Sequence, residues 1–265
     1  MPDAEARTVV VEHDGPVTTL TMVHEPYNLV GPALLNPLLS SMEGAVASGA
    51  RALVVRSGLR HFSAGADLAL FDRRDDGDGE GGVERMDRPA VVLDRLARMA
   101  APIVASVHGV CLGGGFELVL ACDYVVAARS AKIGSVEATL GMHPLMGAVQ
   151  RIAQRAGEAR AKEMAMLARR YDPDTLERWN LINLVVDDDE LEATTASVAH
   201  ELARGPSVAH VATKELTRVA IDRGVRAADD EMATIQKAIW KSADLQEGLR
   251  SFRKNGPGMA QFQGR

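Results

Sequence analysis

The sequence predicts an α/β fold, in which a layer of short strands is covered by helices. Short apolar runs with strand character alternate with segments of helical periodicity up to residue ~140. From Gln150 onward the apolar residues recur almost wholly at helical intervals. With 265 residues, 46% of them hydrophobic and 25% charged, the chain has enough apolar surface for a sizeable core.

The predicted elements follow one another along the first half of the chain. "RTVVVEHDGPVTTLTM" predicts two strands joined at Asp14 and Gly15, because Asp-Gly between strand-like runs is a strong hairpin signal. "GPALLNPLLSSMEGAVASGA" predicts a helix, and Pro32 suits its first turn. The next predicted elements are a strand in "ARALVVRSG", a helix in "RPAVVLDRLARMA", and strands in "PIVASVHGV" and "YVVAARS".

The acidic segment from Asp72 to Arg88 has no apolar periodicity, and we predict a surface loop there. Its carboxylates partly imitate a calcium loop, but the final bidentate glutamate and the flanking helices of such a loop are missing. No His or Cys spacing suits zinc, so we expect no metal site. Cys111 and Cys122 lie in apolar stretches, which predicts two buried thiols and no disulfide.

Charge and hydropathy narrow the classes of partner. The net charge of -6 argues against nucleic acid as the main partner. No apolar run reaches the ~18 residues that cross a bilayer. The first residues have neither the apolar core of a signal peptide nor an Arg-rich transit character. We therefore expect a cytoplasmic protein with no nucleic-acid or membrane partner.

One stretch, "CLGGGFELVLACD", places an ionisable residue, Glu117, in a helix-like segment that is otherwise apolar almost all round. Three glycines at 113–115 precede it and allow a backbone to approach a ligand closely. The unpaired amides at a helix start stabilise an oxygen that becomes anionic, and burial raises the pKa of a carboxyl toward neutrality. By itself the motif fits a catalytic acid and a simple complement to the helix dipole equally well.

Two further segments carry candidate site residues. "HFSAGADLALF" puts small residues before a predicted helix, so that Ala64 can present a backbone N–H and Asp67 can cap the helix. "IGSVEATLGMHP" places Glu137 between a strand-like piece and a turn. The alternative for Glu137 is a first-turn glutamate of a helix capped by Ser135.

Together these segments resemble the enoyl-CoA hydratase/isomerase, or crotonase, superfamily, and the pattern is closest to enoyl-CoA hydratase. The motifs are, in the family's order, "HFSAGADL", "PIVASVHGVCLGGGFELVLACDYVVAA", "SVEATLGMHP", "LERWNLINLVV" and "SADLQEGLRSF". The resemblance implies a crotonase-like spiral of ββα units, with residues 1–200 as the core for acyl-CoA binding and catalysis. It implies that residues 201–265 form a C-terminal helical region for oligomerisation and active-site cover, in a homotrimer or a hexameric dimer of trimers.

The resemblance also implies a site. Glu117 and Glu137 are expected to face each other across the acyl chain, with the backbone N–H groups of Ala64 and Gly114 as an oxyanion hole for the thioester carbonyl. The substrate-binding residues that it implies are Pro26, Tyr27, Ala66, Asp67, Leu68, Leu112, Gly113, Pro144 and Leu145. No cofactor is expected, because coenzyme A is part of the substrate.

The implied activity is that of a lyase in fatty acid metabolism, which adds water across the 2,3 double bond of a 2-enoyl-CoA through an enolate. In this hypothesis Glu137 delivers a proton to C2 while Glu117 orients and deprotonates the water. Keeping both glutamates favours hydration over double-bond isomerisation, which needs one dominant acid. Isomerisation, another acyl-CoA reaction of the crotonase type, and a non-catalytic acyl-CoA binder stay open as alternatives.

Two departures from the family pattern bear on the site. Leu145 and Met146 bring side chains where the family has a Gly-rich run after its proline, which predicts a narrowed or redirected acyl pocket. His143 is interpreted as a hydrogen-bonded structural residue. Asn180 stands at a common glycine position, and we expect it to adopt the left-handed conformation that Asn tolerates.

Overall fold

The structure, a computed structural model, describes residues 7–71 and 80–265. Its strands are β1 Val9–Asp14, β2 Val17–Met22, β3 Ala52–Ser57, β4 Ile103–Val107, β5 Val110–Leu112, β6 Tyr124–Ala128, β7 Lys132–Gly134 and β8 Leu184–Val186. Its helices are α1 Pro32–Ala47, α2 Glu80–Ala97, α3 Gly114–Leu120, α4 Ala148–Ala156, α5 Glu158–Leu167, α6 Pro173–Arg178, α7 Leu191–Arg204, α8 Ser207–Arg223, α9 Val225–Ile235, α10 Lys237–Lys241 and α11 Ala243–Asn255. Short 3-10 helices cover Leu68–Phe71, Glu137–Leu140 and Asp188–Glu190.

The main sheet has six strands in the order β1-β2-β3-β4-β6-β8. Strands β1 and β2 form the predicted antiparallel hairpin around Asp14 and Gly15, which is confirmed. The strands from β2 to β8 are parallel, as expected where helices connect successive strands. A separate parallel pair, β5 and β7, lies next to the start of α3.

The core lies on both faces of this sheet, because side chains alternate between the faces of a strand. In β3, Leu53 and Val55 belong to the larger apolar cluster, which also holds the buried residues of α1 and α2. Ala52 and Val54 belong to a second cluster, which is completed by α7. The predicted α/β layers are therefore confirmed, and both cysteines are buried and free, as predicted.

Helix α2 corrects the prediction of a surface loop from Asp72 to Arg88. Residues 72–79 lie outside the described residues, but the backbone from 80 to 88 is helical. The prediction rested on the absence of apolar periodicity. That absence does not prevent a helix where good helix formers such as Glu84, Arg85 and Met86 occur.

The predicted domain boundary at residue 200 falls inside a helix. Helix α7 crosses residue 200 and packs on the sheet, and α8 to α11 follow it. A separate region from residue 201, and the assembly into trimers, stay predictions. Within the described residues, no helix combines the length and apolarity that a membrane crossing requires.

The packing of α3 against the loop after β3 brings two parts of the site together. A Cβ atom on Gly115 would lie 2.5 Å from Cβ of Ser63, which is closer than real Cβ atoms approach. Ser63 is fully buried, and its amide and carbonyl bond to Val110 and Leu112. Only a glycine at 115 therefore lets α3 lie at this distance from the Ser63 segment.

Substituting two glycines tests this packing. Gly115→Ala should lower the free energy of unfolding by about 1–3 kcal/mol, because the new methyl group overpacks the contact with Ser63. Gly44→Ala is the matched control in α1, where a Cβ meets no atom within 4 Å. It should raise stability by about 0.5–1 kcal/mol through helix propensity. Urea unfolding of both variants measures the difference, and equal shifts of the same sign would contradict the packing argument.

Candidate active site

A cavity of about 260 Å³ lies where the segment after β3, the start of α3 and the chain from Val136 to Met146 meet. Among the described residues that line it, Glu117 and Glu137 are the only ionisable ones. The rest of the lining is backbone and apolar side chain, from Leu29, Ala64, Gly65, Ala66, Leu68, Gly113, Gly114, Val136, Leu140, Met142, Leu145 and Met146. Both predicted glutamates thus lie on one apolar cavity.

Glu117 is held by main-chain amides. It lies in α3, is 2% exposed, and its Oε1 accepts hydrogen bonds from the N–H of Met146 at 2.8 Å and of Ala148 at 3.0 Å. Its Oε2 accepts none from a described residue, and Glu117 lines the cavity. Burial raises the pKa of Glu117 to about 7, with the charge of Glu137 adding to the shift and the two amides opposing it.

Glu137 has a different environment. Its carboxyl packs over Gly113, where a Cβ atom would lie 3.2 Å from Oε1 of Glu137. Both carboxyl oxygens are buried, and neither has a hydrogen-bond partner among the described residues. Burial raises the pKa of Glu137, and the amides of Val136 and Glu137 itself oppose this from positions outside hydrogen-bond geometry. A buried carboxyl without a hydrogen-bond partner is costly to the fold, which makes Glu137 a candidate functional residue.

The alternative for Glu137, a helix capped by Ser135, is wrong in its cap. The short helix Glu137–Leu140 is preceded by Val136 and has no side-chain cap. The Ser135 hydroxyl is buried without a hydrogen-bond partner among the described residues. A helix capped by Ser135 would start at residue 136, whereas this helix starts at Glu137, one residue later.

The structure corrects one of the two predicted oxyanion donors. The N–H of Ala64 donates to the carbonyl of Tyr27 at 3.0 Å, so it is not available to a ligand. The two residues on either side of Ala66 bond to Val30. The N–H of Val30 donates to Gly65 O, and its carbonyl accepts from Asp67 N–H. Successive amides of an extended segment point to opposite sides, so the N–H of Ala66 points away from Val30.

Ala66 and Gly114 are therefore the candidate donor pair. No described residue accepts a hydrogen bond from either amide, and both residues line the cavity. The two backbones are adjacent, because a Cβ on Gly114 would lie 3.4 Å from the nitrogen of Ala66. Ala66 takes the place of Ala64 as the candidate donor, and the oxyanion-hole role of Gly114 stays a prediction.

Asn28 is a residue that the sequence analysis missed. It is fully buried, and its Nδ2 donates to Ser57 Oγ at 2.8 Å and to the Phe62 carbonyl at 3.1 Å. Its Oδ1 accepts from the N–H of His24, and its carbonyl accepts from the Ser63 hydroxyl. Asn28 thus anchors the segment that carries Ala66. The one sequence signal was the position of Asn28 in a loop between a strand and a helix. Asparagines are too common in such loops for this signal to single out Asn28.

The other predicted substrate-binding residues are divided between the cavity and its surroundings. Leu68, Gly113 and Leu145 line the cavity together with Ala66. Asp67 caps the following 3-10 helix, since its Oδ1 accepts from Ala69 N–H, which confirms its predicted capping role. The remaining four lie outside the cavity lining, with Pro26 and Tyr27 on the surface and Leu112 and Pro144 in buried positions. The substrate contacts of all nine residues stay predictions.

Comparison with known proteins identifies the family. The profile of the enoyl-CoA hydratase/isomerase family matches residues 12–263, which is nearly the whole chain. The chain belongs to this family. The predicted resemblance to the crotonase superfamily is thereby confirmed.

Relatives and solved structures agree with the family. The mevalonyl-coenzyme A hydratase sidH of Aspergillus fumigatus is 38% identical over 143 residues, which cover 54% of this chain and 52% of that protein, about half its length. A carnitinyl-CoA dehydratase of Salmonella typhi is 32% identical over 76% of this chain and 77% of its own. An enoyl-CoA hydratase subunit of Geobacillus kaustophilus superposes with a TM-score of 0.89 at 27% identity, over 99% of this chain and 100% of that chain. The fold is the crotonase fold, as predicted.

The departures from the family pattern have structural consequences. Met146 is buried, and its Cε lies 2.7 Å from where a Cβ on Gly114 would be, so its side chain packs against Gly114 in the cavity wall. The narrowed or redirected acyl pocket stays a prediction. Asn180 has a φ of 61°, which confirms the expected left-handed conformation. His143 Nδ1 donates to the carbonyl of Pro144 at 2.7 Å, consistent with a structural role.

Removing the Asn28 side chain should destabilise the enzyme. Asn28→Ala deletes the bonds to Ser57, Phe62 and His24 and leaves their buried partners unsatisfied, so the free energy of unfolding should fall by about 2–4 kcal/mol. Asn36→Ala, at an exposed position of α1, is the control and should be neutral or slightly stabilising. Urea unfolding measures both, and an equal effect at the two positions would refute the anchoring role.

Replacing Glu117 by Gln should stabilise the protein at neutral pH. Because the folded pKa is raised from 4.5 to about 7, the unfolded chain ionises this carboxyl first as the pH rises. The wild type therefore loses stability between these two pKa values, by on the order of 3 kcal/mol. Glu117→Gln removes that loss and keeps an oxygen for the two amides. Unfolding at about pH 5 and about pH 8 measures the change, and a pH-independent difference between the proteins argues against it.

Proposed function

We propose that this protein is a hydro-lyase that adds water across the 2,3 double bond of a 2-enoyl-CoA thioester. The observation that carries the proposal is the placement of Glu117 and Glu137 on one apolar cavity, beside the unpaired amides of Ala66 and Gly114. The thioester oxygen accepts from these two amides. As water adds at C3, negative charge moves to that oxygen, and each donor stabilises the enolate by about 3 kcal/mol.

Hydrogen bonding divides the roles of the two glutamates. Burial alone would suit either carboxyl to act as an acid. Glu117, however, has two amide donors that favour its carboxylate, so we assign it as the base that takes a proton from water. Glu137 has no hydrogen-bond partner among the described residues and burial raises its pKa, so we assign it as the acid that protonates C2. Proton exchange with solvent then resets the pair, and the net reaction consumes one water.

The relatives' names support water addition or removal as the reaction class. One is named a hydratase and another a dehydratase, which are the two directions of the same chemistry. The lining offers apolar contacts to the acyl group, and beyond the two glutamates no described lining residue carries a charge. We therefore propose an uncharged acyl chain. A non-catalytic binder is disfavoured, since it would gain nothing for the cost of burying two carboxyls.

Kinetics of the two glutamine variants test the assignment. Glu117→Gln and Glu137→Gln should each lower kcat for hydration of crotonyl-CoA by about 10²–10⁴-fold, because each removes a proton-transfer group. The affinity for butyryl-CoA, measured by calorimetry, should stay nearly unchanged. Glu201→Gln, on an exposed position of α7, is the control and should keep full activity.

The same assay separates hydration from isomerisation. Hydration is followed as loss of the conjugated enoyl absorbance, and isomerisation of a 3-enoyl-CoA as its gain. Full activity of either glutamine variant would refute the roles assigned to Glu117 and Glu137. Gain of conjugation from a 3-enoyl-CoA without any hydration of crotonyl-CoA would replace the hydratase by an isomerase.

A further inference from the structure

The turn that holds Glu117 is contacted on its other side by an arginine. Arg151 lies in the first turn of α4, and its Nη1 donates to the carbonyl of Gly147 at 3.2 Å and, more weakly, to that of Met146 at 3.4 Å. These are the guanidinium's hydrogen bonds within the described residues. The amides of the same turn, at Met146 and Ala148, donate to Glu117 Oε1.

One peptide group connects the arginine to the glutamate. The carbonyl of Gly147 accepts from Arg151, and the N–H of the same peptide unit, at Ala148, donates to Glu117 Oε1 at 3.0 Å. A cation on the carbonyl polarises the peptide and strengthens its N–H as a donor, since hydrogen bonds in a chain reinforce one another in a low-dielectric interior. The guanidinium thus acts on Glu117 without touching it.

Gly147 is required for this arrangement. Its φ is 110°, in the left-handed region, and a Cβ atom there would lie 1.9 Å from Nη1 of Arg151. The stability of α4 does not explain the arginine, because a cation in the first turn opposes the helix dipole. The contact instead supports the turn.

The charges around Glu117 and Arg151 come from several elements. Glu117 is influenced by the negative Glu137, which raises its pKa, and by the positive Arg151, which lowers it. Behind Arg151 lies a polar cleft of about 830 Å³ between α2, α4 and α8. Arg151 itself lines that cleft, and the other charged residues that line it are Asp94, Arg98, Asp123, Arg155, Lys214, Arg218 and Asp222.

We propose that Arg151 is a positioning residue of the hydration reaction, which fixes and polarises the Met146–Ala148 turn so that Glu117 is held as the base. This inference rests on the proposed function for its kinetic readout. Arg151 contacts neither the cavity nor the reacting atoms. Its effect passes through the backbone of the turn.

Two substitutions at 151 test the proposal. Arg151→Met should lower kcat for crotonyl-CoA hydration by on the order of 10-fold with little change in KM, because the oxyanion donors and the cavity are untouched. The acid limb of the kcat/KM profile should move to higher pH by about one unit, because the lost cation favoured the carboxylate of Glu117. Arg151→Lys keeps the positive charge but has a single donor group. Its acid limb should therefore lie between those of the wild type and Arg151→Met.

Arg155→Met is the matched control. Arg155 lies one helical turn further along α4 and donates to the carbonyl of Leu120, away from the turn that holds Glu117. Its loss should lower the Tm without moving the acid limb. The positioning role would be overturned if folded Arg151→Met kept both the kcat and the acid limb of the wild type. It would also be overturned if Arg155→Met moved the acid limb as far as Arg151→Met does.

A direct titration keeps this inference separate from the proposed reaction. The carboxyl carbons of labelled glutamates are followed by NMR against pH, with Glu117→Gln assigning the signal of Glu117. Its midpoint should rise in Arg151→Met and stay in place in Arg155→Met, whatever reaction the enzyme catalyses. If the wild type hydrates no enoyl-CoA, the proposed function fails while this result still decides the role of Arg151.

Discussion

The site depends on a buried carboxylate that accepts two main-chain hydrogen bonds. Oε1 of Glu117 joins α3, which contributes Gly114, to the turn before α4, which contributes Leu145 and Met146 to the cavity. These are two walls of the cavity in which we propose that the acyl chain lies. Oε1 of Glu117 therefore holds the two walls together, and the carboxyl proposed as the catalytic base is fixed by the structure that it helps to build.

Close backbone approach is the second constraint. Glu137 packs on Gly113, Met146 covers Gly114, and Ser63 lies against Gly115. A side chain at any of the three glycines would push away a different part of the site. The run of glycines before Glu117 thus serves tight packing around the cavity as much as access to a ligand.

The two glutamates illustrate how environment separates identical side chains. Both are buried, and burial raises the pKa of each. Glu117 is compensated by amides and by a distant guanidinium, whereas Glu137 has no hydrogen-bond donor among the described residues. Burying Glu137 without a hydrogen-bond partner costs the fold stability at the position where the proposed reaction requires proton transfer, a common trade between stability and activity.

The sequence by itself determined the fold class and the family. It also singled out the two glutamates that lie together on one cavity. Apolar periodicity follows from which faces are buried, and motifs such as "CLGGGFELVLACD" combine glycines with one acid in a spacing that few other sites need. It predicted the hairpin at Asp14 and the left-handed Asn180 for the same reason, since local residue types decide local conformation.

Only the tertiary structure decided which amides are free and which distant side chains support them. The choice of Ala66 over Ala64 as donor depends on the direction of each peptide group. Two alanines separated by one glycine carry no side-chain signal of that direction. Asn28 contacts Phe62, which is 34 residues away in the sequence. Arg151 acts on Glu117 through the turn that contains Gly147, and Glu117 meets that turn only after the chain has folded. Hydrogen-bond direction and long-range contact are properties of the packed backbone, which residue types alone do not encode.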